Sequence, residues 1–152
     1  RVIHEGEPIA IDTGAKYQGY CSDLTRSFCL GSATEEYGRA WETVLRAQVA
    51  AEETITAGMT GAEADALARG IIDAAGYEGK FGHGLGHGVG LEIHEAPRVS
   101  ATSQDTLQPG MVFSVEPGGA RPGWGGIRLE DLVVVAEDGC RVLTGVAKRP
   151  VL

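Results

Sequence analysis

The sequence holds no apolar run near the roughly 20 residues that a membrane-spanning helix needs. Its opening, Arg1-Val2-Ile3-His4-Glu5-Gly6, also lacks the apolar core of a signal peptide. Neither a membrane span nor a secretory leader is expected. Cysteine is scarce: Cys21, Cys29 and Cys140 are an odd number, and none stands in CxxC spacing. That excludes a disulfide framework and a zinc knuckle, and predicts reduced, packing thiols in a cytoplasmic protein. Positive charge is short as well, with 13 Lys+Arg against 21 Asp+Glu and a net charge of −8. Nucleic acid and anionic membranes are excluded as main partners. The chain has no GxGxxG dinucleotide loop and no P-loop frame around "EGKF". "HEAPR" is not HExxH, so a zincin is excluded too. Glycine runs the other way: 23 of 152 residues is about twice the usual roughly 7%.

A chain of 152 residues suits one domain with a sizeable core. Pro8 to Thr13 reads as a strand, Gly14 to Gly19 as a turn, and Tyr20 to Leu30 as a second strand. Thr34 caps a helix on which Tyr37, Trp41, Val44, Leu45 and Gln48 recur at helical spacing, ended by Gly58. Trp41 and the alanines near it read as core. Thr60 caps a second helix with Glu63 completing a capping box and Gly76 as the stop. Later, "GMVFSVEPG", "IRLEDLVVVAED" and "CRVLTG" read as strands, with Glu137-Asp138-Gly139 as a hairpin turn. His4 lies near a turn and reads as a solvated surface residue.

Three of the four histidines fall in "GHGLGHGVGLEIHE", Gly82 to Glu95, at steps of four and seven. A glycine-rich surface loop is the plain reading of that stretch alone. Four acids, however, sit within or beside β-rich stretches, where an unpaired charge is costly. They are Asp12 in "AIDTGA", Asp23 in "YCSDLTRSF", Glu116 in "VFSVEPGG" and Glu130 in "GIRLEDLVVV". Each alone is an ordinary turn or capping acid. Four such acids together with a histidine form a set of mostly hard oxygen donors, suited to a pair of Mn, Co, Fe or Zn ions acting as Lewis acids.

In that order, inside "DTGA…GYCSDLTR", "HGLGHGVGLEIHE", "SVEPG" and "GWGGIRLED", these residues resemble the metallopeptidases of the pita-bread fold. Those are the X-Pro aminopeptidases, prolidases and methionine aminopeptidases. The resemblance implies an α+β fold of pseudo-twofold ααβ repeats around a curved, mostly antiparallel sheet. It implies that Asp12 chelates one metal, Asp23 and Glu130 bridge two, and His87 and Glu116 hold the other. Mn is the expected ion. His83 and His94 would face substrate on either side of His87, if the strand bulges as its glycines permit. Gly84, Gly86, Gly88 and Gly90 would let backbone approach metal and substrate. The middle histidine of the stretch resembles prolidases and X-Pro aminopeptidases, not methionine aminopeptidases, and Arg128 matches their site arginine.

The resemblance thus implies a dinuclear-metal exopeptidase that cuts after an N-terminal residue, with preference for X-Pro peptides. Glu116 would shuttle the proton, His94 would stabilise the tetrahedral intermediate, and His83 would contact the residue after the scissile bond. Thr25 would support a ligand. The expected partners are a peptide substrate and a second copy in a homodimer. Two departures are noted. Prolidase-like sequences often carry Tyr at the position of Ala120, so the substrate pocket is expected to differ. The chain also starts just before the first ligand strand, so residues 1–152 are expected to form a catalytic domain without its first helices or any N-terminal domain. That would leave one sheet face bare. The competing readings are a metal-free, creatinase-like C–N hydrolase and a non-catalytic peptide-binding module on the same fold.

Overall fold

The computed structural model describes residues 2–152. The chain opens with β1 (Pro8–Thr13), a small hairpin of β2 (Lys16–Tyr17) and β3 (Tyr20–Cys21), and β4 (Leu24–Cys29). β1 pairs antiparallel with β4, which sets Asp12 directly opposite Thr25. The expected second strand is therefore broken, and Asp23 stands at the break between β3 and β4. The expected turn at Gly14–Gly19 contains the first half of the small hairpin, where Lys16 faces Cys21 across the pair.

α1 (Glu35–Thr54) begins where Thr34 accepts a hydrogen bond from the Tyr37 amide at 3.2 Å. Tyr37, Ala40, Trp41, Val44, Ala47, Gln48 and Ala51 form its buried face, the three-and-four spacing of a one-sided helix. Trp41 also donates from Nε1 to the Ser27 carbonyl at 2.8 Å, tying the helix to β4. Trp41→Ala would cost about 3–5 kcal/mol. The helix ends at Ile55, which turns extended, and not at Gly58, which follows three residues later with φ +92°. Ile55 is fully buried, and following the core takes the chain out of helix before the glycine is reached.

α2 (Gly61–Ile72) has the full capping box: Thr60 Oγ1 accepts from the Glu63 amide, and Glu63 accepts from the Thr60 amide at 2.7 Å. A π-helical turn over Asp73–Tyr77 follows, with Gly76 at φ +86°. The strands after it are β5 (Gly86–Gly88), β6 (Glu95–Val99), β7 (Val112–Val115), β8 (Gly118–Arg121), β9 (Gly125–Arg128), β10 (Asp131–Ala136) and β11 (Gly139–Val142). Five of them form one antiparallel sheet in the order β11-β10-β7-β5-β6, and β8 and β9 pair as a separate hairpin. β10 and β11 form a hairpin closing at Ala136 and Gly139.

One core lies between this sheet and both helices, where Ala47, Ala51, Ala68 and Ile72 meet Leu85, Phe113 and Val133. A second core gathers Cys29, Tyr37, Trp41 and Val44 with Ile127 and Leu129. Cys21 and Cys140 are half-buried, and all three thiols are free. His4 is exposed, as its turn position predicts.

The expected strand over Ile127–Asp138 is divided. Arg128 pairs with Gly118 in the β8–β9 hairpin, whereas Asp131 pairs with Val115 in the large sheet. The facing strand divides at the same level, at Glu116-Pro117, where proline has no amide to donate. Both chains change partners there. The Glu116 amide goes to the Leu85 carbonyl at 2.8 Å, and the Glu130 amide to the Thr25 carbonyl at 3.1 Å.

Candidate metal centre

Strand breaks present three of the acids. Asp23, Glu116 and Glu130 each sit where a ladder stops. His87 comes from the centre of β5, where the pairing with β6 shifts register between His87 and Gly88. The expected bulge is present. Among the described residues, ligand atoms of Asp23, His87 and Glu130 lie within 4.8 Å of one another. His87 Nε2 is 3.2 Å from Glu116 Oε1 and 3.8 Å from Asp23 Oδ2.

Each of the buried groups is held from behind. Thr25 donates to Glu130 Oε2 at 2.6 Å, the supporting contact expected of it. Ser114 donates to Glu116 Oε1 at 3.0 Å. His87 Nδ1 lies 3.1 Å from the Gly88 carbonyl, which can only accept. That turns Nδ1–H to the carbonyl and Nε2 to the acids, where Nε2 could bind a cation once it gives up its proton.

Asp12 is different. Its side chain is 54% exposed and pairs with Arg128 Nη2, whereas Asp23 is half-buried and Glu116 and Glu130 are buried. The residues of β1 from Ala10 onward are exposed. Arg128 also reaches Thr25 Oγ1 at 3.3 Å and approaches Glu116 Oε2 at 3.7 Å, so it links the acids of both regions.

The electrostatics fit a cation. Burial pushes Glu130 up to about 7, with the charges of Glu116 and Asp23 adding to the rise against Thr25 and Arg128. Asp23 is raised by burial and by Asp12. For Glu116, burial pushes upward but is outweighed by hydrogen bonds from His87 and Ser114, so it lies below the ordinary glutamate value. For His87, burial pushes downward but is outweighed by Glu116, Gly88 and Asp23, so it is raised. Crowded carboxylates that resist ionisation together, around one oriented imidazole, are a donor set a divalent cation would relieve.

The histidines on either side open onto one cleft of about 540 Å³, lined by His83, His87, His94, Arg98, Glu116 and Arg128 among others. The His87 and His94 rings are 4.1 Å apart between centroids. Ala120 does not reach this cleft. It lines a separate cavity of about 160 Å³ between α1 and the β8–β9 hairpin, beside Tyr77 and Trp124. A Cβ on Gly86 would collide with the Ser114 carbonyl and one on Gly88 with the Ala96 carbonyl, so they let neighbouring strands close up.

Three groups near the site escaped the sequence reading. Ser114 is one, with a hydroxyl two residues before a buried acid as its only signal. A buried ionic cluster is another: Arg26 donates to the Thr25 and Glu130 carbonyls at 2.9 and 2.6 Å and to Asp131 at 2.6 Å, and Asp131 meets Lys148 at 2.6 Å. The third is the pair Asp65 and Arg69 on α2, at i and i+4.

The profile of metallopeptidase family M24 matches residues 1–137, and the chain belongs to that family. It is 47% identical over 142 residues to an Xaa-Pro dipeptidase of Pyrococcus furiosus, covering 93% of this chain and 41% of that protein. It is 45% identical over 144 residues to an uncharacterized peptidase of Bacillus subtilis, covering 95% and 41%. Among solved structures, the Xaa-Pro dipeptidase of Bacillus anthracis superposes with a TM-score of 0.97 at 45% identity, covering all of this chain and 43% of that one. The X-Pro aminopeptidase of Thermotoga maritima gives 0.95 at 42% identity, covering 100% and 43%. The fold is the pita-bread fold of these enzymes. The chain spans about two fifths of the length of the curated relatives it matches. Membership of a metallopeptidase family implies divalent metal. No helix among the described residues is long and apolar enough to cross a membrane.

Proposed function

We propose that this member of the M24 family is the metal-binding part of an exopeptidase that removes one N-terminal residue, acting on X-Pro dipeptides or peptides. The observation that carries the reading is the convergence of Asp23, His87 and Glu130 within 4.8 Å, with His87 also lining the histidine-rich cleft. Relatives at 45–47% identity that bear the name Xaa-Pro dipeptidase support the substrate class.

Asp12, Asp23, His87, Glu116 and Glu130 would hold two divalent ions, Mn foremost, with Asp23 and Glu130 as bridges. When bound, such a pair supplies Lewis acidity that polarises the scissile carbonyl and activates water. Glu116 takes the proton of the attacking water on a carboxylate oxygen and delivers it to the leaving amine. Its lowered pKa keeps that oxygen free to accept near neutral pH. His94, beside His87 at the cleft wall, donates to the carbonyl oxygen as its charge develops. His83 contacts the residue after the scissile bond. Arg128 orients Asp12 and lies across from Glu116. The reading includes a cytoplasmic setting, in keeping with three free thiols. It also includes a homodimer, in keeping with the exposed Ile11, Tyr17 and Tyr20 around the first ladder.

The test is hydrolysis of Ala-Pro, a longer X-Pro peptide and Ala-Ala by the complete protein, with and without Mn, beside elemental analysis. Mn-dependent release of alanine with preference for proline is expected. Hydrolysis of a non-peptide C–N bond without metal, or tight peptide binding without turnover, would replace the reading with a creatinase-like hydrolase or a binding module.

A further inference from the structure

His83 sits in an irregular segment, Phe81 to Leu85, that leaves the π-helical turn and has not yet entered β5. The backbone of this segment is anchored by one ion pair on α2. Arg69 donates from Nε to Asp65 Oδ2 at 2.6 Å and from Nη2 to Asp65 Oδ1 at 2.9 Å. The same guanidinium donates from Nη1 to the Phe81 carbonyl at 2.7 Å and from Nη2 to the His83 carbonyl at 2.8 Å. Asp65 Oδ1 in turn accepts from the Leu85 amide at 2.9 Å. Three backbone groups spanning His83 thus converge on two side chains one helical turn apart.

The side chains complete the arrangement. The guanidinium stacks over the Phe81 ring at 4.2 Å, and that ring meets the His83 imidazole edge-on at 5.0 Å. His83 Nδ1 lies 2.8 Å from the Gly84 carbonyl, so this nitrogen carries the proton and Nε2 is left for the cleft. Asp65 is fully buried although it bears a charge, and Arg69 is mostly covered. A surface ion pair on a helix has no need of such burial or of a fork that serves two further carbonyls.

We infer that Asp65 and Arg69 are positioning residues for His83, fixing both its place over the cleft and its tautomer; the consequence for catalysis rests on the proposed role of His83. Lysine cannot replace Arg69 in this role. It keeps the charge opposite Asp65 but is a point donor without the planar fork, and cannot serve Asp65 and both carbonyls at once.

The decisive variant is Arg69→Lys in the complete protein, because it leaves Asp65 neutralised and spares the fold. Long-range ¹H–¹⁵N spectra of the imidazoles, taken without metal, are expected to show His83 shifted or broadened while His94 is unchanged. With metal content equal to wild type, kcat/KM for an X-Pro peptide is expected to fall about 10–100-fold, the scale of a misplaced contact. Arg69→Met is expected to do at least as much. A folded Arg69→Lys protein with wild-type His83 resonances overturns the inference. His83→Ala is the separate control: full activity in that variant would overturn the role of His83 in catalysis, while the spectra of Arg69→Lys still decide whether the pair positions it.

Discussion

The two regions that would supply the metal ligands are built differently. β1 and β4 form a two-stranded ladder whose first strand is largely exposed, and it offers Asp12 and Asp23. The five-stranded sheet is backed by both helices, and it offers His87 together with Glu116 and Glu130 at its strand breaks. In the backed region every ligand has a hydrogen-bond partner that fixes its direction, and Glu130 is held at the cost of a pKa near 7. In the bare ladder Asp12 keeps water and an arginine for company. On the proposed reading, stiff, desolvated groups would set the geometry and an accessible group would complete the shell. The ladder is stitched to the sheet by Arg26, which binds carbonyls of both Thr25 and Glu130.

The sharpest way to break this contrast is to remove one acid from each region. Glu130→Ala is expected to empty both metal positions and bring turnover to background, whereas Asp12→Ala retains one ion per chain. Elemental analysis after gel filtration checks it, and equal losses in the two variants would erase the distinction. The next largest effect separates chemistry from binding at the cleft wall. His94→Ala should keep its metal and lose about 10²–10³ in turnover, the scale for one donor to a developing oxyanion. Metal lost in step with activity would make His94 a ligand.

A smaller effect is expected where the regions meet. Thr25→Val removes the hydroxyl that directs Glu130 and should weaken metal binding about 10–100-fold, read by competition with a chelator. An unchanged affinity would mean that strand geometry alone aims Glu130. The smallest concerns the backed region by itself. Burial pushes Glu52 on α1 up to about 7 from 4.5, with Lys148 opposing and Asp131 adding to the shift. Its folded form therefore favours the proton, and this contribution to stability is full below about pH 4.5 and lost as pH rises through about 7. Glu52→Gln should raise stability by the order of 1 kcal/mol at pH 8 and little at pH 4.5. Thermal melts across pH check the sign.

What could be read from the letters was local. The capping box of Thr60 and Glu63, the bounds of β1 and the β10–β11 hairpin depend on neighbours a few residues away, and all are present. The breaks at Glu116-Pro117 and Leu129-Glu130 were not legible, because there the Glu116 amide turns to the Leu85 carbonyl and the Glu130 amide to the Thr25 carbonyl, both distant in sequence. The candidate acids were picked for strand context, which does not report whether a second layer covers the strand. Asp12 shows the gap. Asp65 was hidden among alanines, although an acid beside the buried Ala64 and Ala68 with arginine four residues on was a signal available to helical spacing.

The register shift after His87 has a consequence in arithmetic. β5 and β6 run antiparallel, so the side that His94 takes depends on how many residues the connecting run holds and on the register after it. The run Val89 to His94, between the two strands, reverses the chain and brings the two rings together. This stretch therefore stores its information as a count. Leu91 and Ile93 are exposed, and either should tolerate exchange for many other side chains. Deleting one residue between Val89 and Ile93 should instead shorten the reversal and pull the two rings apart, a change that no choice of amino acid in the run could repair.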